Sequence, residues 1–243
     1  MVAIFAVRDG FPFCALGPTD KAMTRLLLAL LLSLVALPSV ADAAPGSMRV
    51  RLETSLGNIV VALDTVRAPQ TSANFLAYVD DGRFDSTSFY RAARRKADAR
   101  FGYVQGGTRT DVRRNLPPVV HEATSQTGIR HLDATISMAR GGAPGTAMGN
   151  FFITVGPTPF MDATATTPGY AAFGRVVSGM EVVRRILAQP TGGGMGEMKG
   201  QMILKPVVLV RAVRLDGKPR PSGRAKPWLL WDAGAFGKNL SRR

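Results

Sequence analysis

The sequence has 243 residues, 46% hydrophobic and 20% charged, which suits one globular domain with flanking segments and a sizeable core. The formal net charge of +14 predicts adhesion to anionic partners and says little about the fold. The single cysteine, Cys14, lies near the N-terminus, so the chain beyond it can form no internal disulfide, thiol nucleophile or cysteine-ligated metal site.

The N-terminal segment has the three-part pattern of a secretory signal peptide. Thr24-Arg25 is a positive flank, Leu26–Leu37 is an apolar run broken only by Ser33, and Ala41-Asp42-Ala43 is a small-x-small cleavage site. A run of twelve residues is short for a bilayer span, which disfavours an uncleaved anchor, the alternative interpretation. We therefore expect residues 1–43, an N-terminal extension with a cleavable signal peptide, to be removed on export to the periplasm.

Residues 48–215 carry the patterns of a β-rich domain. Met48–Thr54 alternates apolar and charged residues, and the more apolar Ile59–Leu63 follows a tight connection, so the two runs predict a hairpin. Pro69 occupies a position that proline tolerates at a helix start. It begins a helix predicted over residues 69–80, which we expect to lie over the strands.

The rest of this domain consists of short apolar runs and a second helix. Strands are predicted at Ser86–Ala93, Phe101–Gln105, Ala134–Ala139, Asn150–Val155, Ala171–Val177 and Val207–Leu215. Gly179–Leu187 has the apolar spacing of an amphipathic helix. Eight short strands with two helices predict a mainly β fold, a closed eight-stranded antiparallel barrel capped by two α-helices.

The C-terminal segment, residues 216–243, differs in composition from the domain before it. It is rich in proline, glycine and basic residues and contains Trp228 and Trp231. We interpret it as a mobile or loosely docked basic tail.

The candidate site lies on a pair of neighbouring strands. Phe89-Tyr90-Arg91 ends one apolar run, and Gln105 ends the next, directly before Gly106-Gly107. An arginine beside aromatic residues, with an amide arriving from the next strand, can hold a polar backbone against an apolar floor, because its fork of five N–H donors stays charged. The alternative is a surface arginine and a glutamine before a turn.

Nine motifs in a fixed order decide between these interpretations. They are Leu52–Ile59, Ala68–Phe75, Phe89–Arg91, Gln105–Gly107, Thr135–Arg140, Asn150–Ile153, Phe160–Asp162, Phe173–Val176 and Gly179–Val183. As a set they resemble the bacterial cyclophilins over residues 48–214. The resemblance implies an eight-stranded barrel with two capping helices and peptidyl-prolyl cis–trans isomerase activity.

The resemblance also implies the roles of individual residues. Arg91 is the expected catalytic residue, and Gln105 steadies it and meets the substrate backbone. The expected substrate-binding residues are Tyr103, Met138, Ala139, Arg140, Asn150, Phe152, Phe160, Met161 and Tyr170. Barrel core is the alternative for each apolar member. Core is favoured for Met138, and pocket for Phe152.

The chain departs from the family pattern in two places. Extra residues, rich in Arg and Lys, lie between Arg91 and Gln105, and the aromatic and methionine that normally precede the glutamine are replaced by Gly102 and Tyr103. A phenylalanine wall of the proline pocket is therefore missing, and either Phe101 or Tyr103 is a candidate to replace it. Asn150 stands where the family more often has a longer glutamine.

No metal or cofactor is expected. The two histidines, His121 and His131, lack metal-ligand spacing, and both are interpreted as structural. The serines lack the base and acid partners of a hydrolase pattern.

The sequence leaves three functions open. The first is an isomerase acting on proline-containing unfolded polypeptides of the envelope, a monomer with cyclosporin as a candidate inhibitor. The second is a catalytically weak peptide-binding or chaperone module on the same scaffold. The third is weak contact of the basic stretches with anionic envelope surfaces. No nucleic-acid partner is expected, since no base-stacking motif is present.

Overall fold

The computed structural model describes residues 46–232, so the predicted signal peptide and the end of the basic tail lie outside the described residues. The strands are β1 (Ser47–Thr54), β2 (Gly57–Asp64), β3 (Thr87–Arg94), β4 (Gly102–Gly107), β5 (Thr135–Met138), β6 (Asn150–Val155), β7 (Ala172–Ser178), β8 (Thr191–Gly192) and β9 (Met202–Arg214). The helices are α1 (Pro69–Asp80), α2 (Thr124–Thr127), α3 (Met180–Leu187) and α4 (Pro227–Asp232).

The strands form a closed antiparallel barrel. Their order around it is β1-β2-β7-β5-β6-β4-β3-β9, and β9 pairs back onto β1, while the two-residue β8 adds to β9. Closure leaves these eight strands without an open edge. The predicted mainly β fold is confirmed, and the two predicted helices correspond to α1 and α3.

The barrel interior is filled by phenylalanine rings. Phe75 from α1 lies 5.0 Å from Phe84, 5.4 Å from Phe151 and 5.3 Å from Phe173, measured between ring centroids. Phe89 on β3 adds an edge contact to Phe151 at 5.7 Å. Such offset and edge contacts are the favoured arrangement of aromatic pairs, so α1 is held firmly on the barrel. Side chains that point away from this core form the site.

The last strand begins earlier than the sequence indicated. β9 starts at Met202 rather than Val207, because a strand can continue through Pro206 where the ladder is already irregular. Opposite this stretch, the register with β3 jumps from Phe89–Val207 to Arg91–Met202. This irregularity lies beside the candidate catalytic arginine.

The first part of the basic tail, which was expected to be mobile or loosely docked, contacts the barrel domain. Asp216 pairs with Arg49 at 2.8 Å, and the side chain of Trp228 is 1% exposed. The Trp228 ring packs against two guanidinium groups, 4.6 Å from that of Arg83 and 5.4 Å from that of Arg114. Over residues 46–232, no helix is long and apolar enough to cross a membrane.

Candidate active site

A β-bulge turns Arg91 out of the barrel. On β3, Phe89 lies opposite Gly106 but Arg91 lies opposite Gln105, so Tyr90 is an extra residue in the strand. In a regular strand Phe89 and Arg91 would face the same side, and Arg91 would enter the core beside the buried Phe89. The bulge therefore places the arginine on the outer face, a common use of bulges near active sites.

The outer face carries a row of four side chains in direct register. Arg91 on β3 lies opposite Gln105 on β4, Gln105 opposite Phe152 on β6, and Phe152 opposite Ser137 on β5. Directly opposed residues of antiparallel strands project to the same side. The sheet thus places a cation, an amide and an aromatic ring side by side, although they are far apart in sequence.

Neutral oxygen atoms hold the guanidinium of Arg91. Its Nη1 donates to Oε1 of Gln105 at 3.1 Å, its Nε donates to Oε1 of Gln201 at 2.9 Å, and its Nη2 donates to the carbonyl oxygen of Glu197 at 3.4 Å. The side chain is only 9% exposed, and among residues 46–232 it makes no ion pair with a carboxylate. A desolvated positive charge is therefore fixed in place without neutralisation.

Gln105 is itself fixed by a directional chain of hydrogen bonds. Its Nε2 donates to the hydroxyl of Tyr90 at 2.8 Å, and that hydroxyl donates to Oδ1 of Asn150 at 3.2 Å. Burial raises the pKa of Tyr90 to about 12, so the phenol stays protonated and can donate at neutral pH. With Nε2 committed to Tyr90, the Gln105 carbonyl oxygen must face Arg91.

The side-chain amide of Asn150 forms hydrogen bonds with the backbone of the protein itself. Its Oδ1 accepts the backbone N–H of Arg109 at 2.7 Å, and its Nδ2 donates to the Arg109 carbonyl oxygen at 3.0 Å. Asn150 was predicted to contact substrate with a short reach. In the structure it clamps the segment that carries Arg109.

Tyr103, not Phe101, lies beside Phe152, where the proline pocket lacks the phenylalanine wall that the family pattern would place there. Its ring lies 5.5 Å from the ring of Phe152 and 5.2 Å from the guanidinium carbon of Arg91. Phe101 instead contacts the guanidinium of Arg95 at 5.6 Å. Gly102 cannot carry a side chain at all, since its φ is +149° and an added Cβ would lie 2.0 Å from the carbonyl oxygen of Ala93.

The other predicted substrate residues fall in different places. Tyr170 reaches the groove, with its ring edge-on to Phe152 at 5.4 Å, and Arg140 lies over Tyr170 at 4.9 Å. Phe160 is 71% exposed on a 3₁₀ turn, whereas Met161 beside it is buried. Ala139 lines a cavity next to Gln105.

The structure does not support the prediction that Met138 binds substrate. It is buried in the barrel core, on the opposite side of β5 from Ser137, which belongs to the outer row. Because neighbouring residues of a strand point to opposite faces, the side chain of Met138 does not reach the groove. It therefore belongs to the core, the alternative that the sequence already favoured.

Sequence comparison identifies the family of this chain. Residues 49–213 match the family model described as cyclophilin type peptidyl-prolyl cis-trans isomerase/CLD. The chain belongs to the cyclophilin family. The predicted enzyme class, peptidyl-prolyl cis–trans isomerase, is confirmed by this membership and by the relatives that follow.

Two curated bacterial relatives and one solved structure illustrate the match. Peptidyl-prolyl cis-trans isomerase A of Dickeya dadantii is 39% identical over 168 residues, 68% of this chain and 85% of that protein. A peptidyl-prolyl cis-trans isomerase of Streptomyces antibioticus is 38% identical, covering 67% of this chain and 96% of its own. A crystal structure of a cyclophilin-type isomerase from Cryptosporidium parvum shares the fold, with a TM-score of 0.55 at 20% identity, covering 71% of this chain and 99% of that one.

Behind Phe152 lies a buried chain of polar groups that sequence reasoning missed. His131 Nδ1 lies 2.6 Å from Oδ1 of Asp162, and its Nε2 lies 2.9 Å from the hydroxyl of Ser137. The imidazole stacks on Phe152 at 5.8 Å with an interplanar angle of 12°. Both His131 and Ser137 are fully covered, so this Asp–His–Ser arrangement supports the pocket floor and offers no accessible nucleophile.

Neutral His131 makes stability depend on pH. Burial lowers the pKa of His131, although the hydrogen bond to Asp162 acts in the opposite direction. An unfolded histidine binds a proton below about pH 6.5, where the folded one still resists it, so the free energy of unfolding falls as the pH drops through that value. We expect the free energy of unfolding of wild type to fall more steeply than that of His131→Asn as the pH drops below about 6.5.

Urea unfolding followed by circular dichroism at several pH values measures this difference. His121→Asn, at the other histidine of the chain, is the matched comparison variant. Equal slopes for wild type and His131→Asn would show that His131 does not resist protonation in the fold.

Within residues 46–232, no three His, Cys, Asp or Glu side chains come together in a way that could hold a metal ion.

Proposed function

We propose that this chain isomerises X-Pro bonds in unfolded exported polypeptides and that Arg91 stabilises the twisted amide. Rotation about a peptide bond is opposed by a barrier of about 18–20 kcal/mol, which comes from resonance. Cis and trans X-Pro bonds are close in energy but interconvert slowly. A catalyst therefore has only to bind the twisted form more tightly than either planar form.

The arrangement of Arg91 carries this proposal. Twisting the amide returns lone-pair density to the prolyl nitrogen and makes it a better hydrogen-bond acceptor. Arg91 spends three of its five N–H donors on Gln105, Gln201 and the Glu197 carbonyl, which leaves two for substrate. A fixed, partly desolvated cation stabilises charge that appears only in the transition state without having to reorganise.

The aromatic side chains beside Arg91 are suited to hold the proline ring. Phe152 provides the floor, and the rings of Tyr103 and Tyr170 stand at 5.5 Å and 5.4 Å from it. Burial also raises the pKa of Tyr103, so this wall stays uncharged at neutral pH. An apolar slot positions the ring by burial and shape while the preceding carbonyl swings.

The proposal that the substrates are exported proteins rests on the N-terminal sequence pattern. The positive flank, apolar run and cleavage site of residues 24–43 support export, and the chain after residue 43 contains no cysteine. In the periplasm the available X-Pro bonds would be those of envelope proteins that have not yet folded. We propose these as the clients.

An isomerase assay with short proline peptides tests the proposed activity. We expect the purified protein to accelerate cis–trans exchange of an Ala-Pro peptide, measured by exchange NMR spectroscopy, and cyclosporin to suppress the acceleration by occupying the same slot. Bovine serum albumin at equal concentration controls for nonspecific effects. Peptide binding without faster exchange would instead support the alternative of a peptide-binding module.

A further inference from the structure

Residues 216–226 form a basic strap whose backbone is fixed to the domain. The backbone N–H of Arg220 donates to Oδ2 of Asp80 at 2.8 Å, and that of Ser222 donates to Oδ1 of Asp81 at 2.8 Å. Both carboxylates lie at the end of α1. Because the strap is held through its main chain, its long side chains are not needed for the attachment.

The basic side chains of this segment have no partners in the described part of the chain. Residues 217–231 contain four basic residues and no acidic one. Lys218, Arg220 and Arg224 are exposed, and Lys226 is half-buried. None of the four side chains makes a hydrogen bond or an ion pair with another described residue. Four uncompensated positive charges therefore lie along one fixed segment.

The acidic side chains beneath the strap do not neutralise it. Asp80 pairs with Arg214, and Asp81 pairs with Arg83 at 2.6 Å. The two carboxylate side chains are 1% and 0% exposed. Since each already has its own arginine, the surface above them keeps its positive potential and attracts anions.

Two exposed apolar side chains lie beside the end of the strap. The strap leads into α4, which packs against the 3₁₀ turn Val112–Arg114. Leu229 on α4 is 52% exposed and Val112 is 77% exposed, while the buried Trp228 ring holds the helix in place. Cations beside exposed apolar groups suit the interface of an anionic bilayer, where the cations attract lipid headgroups and the apolar groups enter the acyl boundary.

We infer that the basic strap, together with Val112 and Leu229, binds the surface of an anionic phospholipid bilayer. A soluble polyanion would use the cations but leave both apolar side chains in water, so the apolar pair favours lipid. Because the strap backbone is already fixed, binding orders little additional chain. The inference goes beyond the proposed isomerase activity and does not depend on it, since it involves none of the groove residues.

Vesicle sedimentation tests this surface. The purified protein is mixed with vesicles of phosphatidylcholine alone or of phosphatidylcholine and phosphatidylglycerol in equal parts, and the bound fraction is measured after centrifugation. We expect much stronger binding to the anionic vesicles, and a loss of this advantage in about 1 M salt, where the Debye length is about 3 Å. All variants share one N-terminal segment, so differences between them report on the substitutions.

A pair of charge variants locates the binding surface. Arg220→Gln combined with Arg224→Gln should weaken binding to anionic vesicles by more than about tenfold, because each cation at the surface contributes about fivefold. Arg175→Gln combined with Lys205→Gln removes the same net charge from exposed positions on β7 and β9, and should bind as wild type does. Thermal unfolding checks that each variant is folded.

A second pair separates a bilayer from a soluble polyanion. Val112→Ala combined with Leu229→Ala should weaken vesicle binding by about tenfold through lost apolar contact, and should leave binding of soluble polyphosphate unchanged. Val208→Ala combined with Val210→Ala is the matched control, since these side chains are 43% and 50% exposed on β9. This control should bind vesicles as wild type does.

Three results would overturn the inference. The first is failure of wild type to sediment with anionic vesicles. The second is equal binding by the two charge variants, because net charge alone would then account for the attraction. The third is vesicle binding that ignores loss of the apolar pair, which would assign the strap to soluble polyanions. The peptide exchange assay is measured separately, so each of these results leaves the isomerase proposal to its own test.

Discussion

Replacement of Arg91 by alanine is expected to lower kcat/KM for a proline peptide by about 10²–10³-fold. This is the usual loss when one preorganised donor to a transition-state charge is removed from an enclosed site. The effect should fall mainly on kcat, because the two free N–H donors of Arg91 find a strong acceptor only when the amide is twisted. Exchange NMR spectroscopy over a range of peptide concentrations separates kcat from KM.

Arg91→Lys tests whether charge alone is sufficient. A lysine keeps the positive charge but lacks the planar fork that contacts Gln105 and Gln201 together, so we expect a loss between those of wild type and alanine. Arg175→Ala, at the exposed β7 position, is the matched control and should retain wild-type kinetics. If Arg91→Ala folds normally and isomerises at the wild-type rate, the proposed role of Arg91 is wrong.

The strands and helices could be predicted from the sequence because their signals are local. The alternation in Met48–Thr54 and the proline at Pro69 are readable in a short window, and α1 covers Pro69–Asp80, as predicted for residues 69–80. The bulge at Tyr90 has no such signal. It depends on how β3 meets β4 and β9 at once, and it decides the direction of Arg91.

Strand parity could not decide between Phe101 and Tyr103, because both lie an even number of residues before Gln105. Tyr103 and Gln105 are two residues apart on β4 and project to the same face, so a groove that contains Gln105 also receives Tyr103. The start of β4 at Gly102 is a tertiary property and could not be foreseen. Phe101 lies before this start, so only Tyr103 is held in the strand beside Gln105.

The contact between His131 and Asp162 behind Phe152 could not be predicted from short stretches of sequence. His131 and Asp162 are 31 residues apart, and neither lies in a strand that predicts their meeting. Their contact follows from the closed barrel, which brings the turn before β5 against the 3₁₀ turn after β6. Interpreting His131 as structural was sound on spacing, but its place under the pocket floor required the fold.

The same limitation applied to the C-terminal segment, whose composition suggested a loosely attached tail. Replacement of Trp228 by alanine is expected to lower the free energy of unfolding by about 3–5 kcal/mol, the usual cost of truncating a buried aromatic side chain. The ring packs against the guanidinium groups of Arg83 and Arg114, so the variant also loses these two contacts. Urea unfolding followed by circular dichroism measures the change.

The cost should be high because Trp228 covers a buried ion pair. Arg83 Nε lies 2.6 Å from Oδ2 of Asp81, both side chains are almost fully covered, and Asp81 also accepts the backbone N–H of Ser222 at 2.8 Å. Removing the ring admits water to this pair and loosens the segment that closes over it. Leu229→Ala is the neighbouring control and should change stability by less than about 0.5 kcal/mol, since Leu229 is 52% exposed. Equal stability of Trp228→Ala and wild type would mean that the segment is not docked in solution, and the sequence-based expectation of a loose tail would then hold.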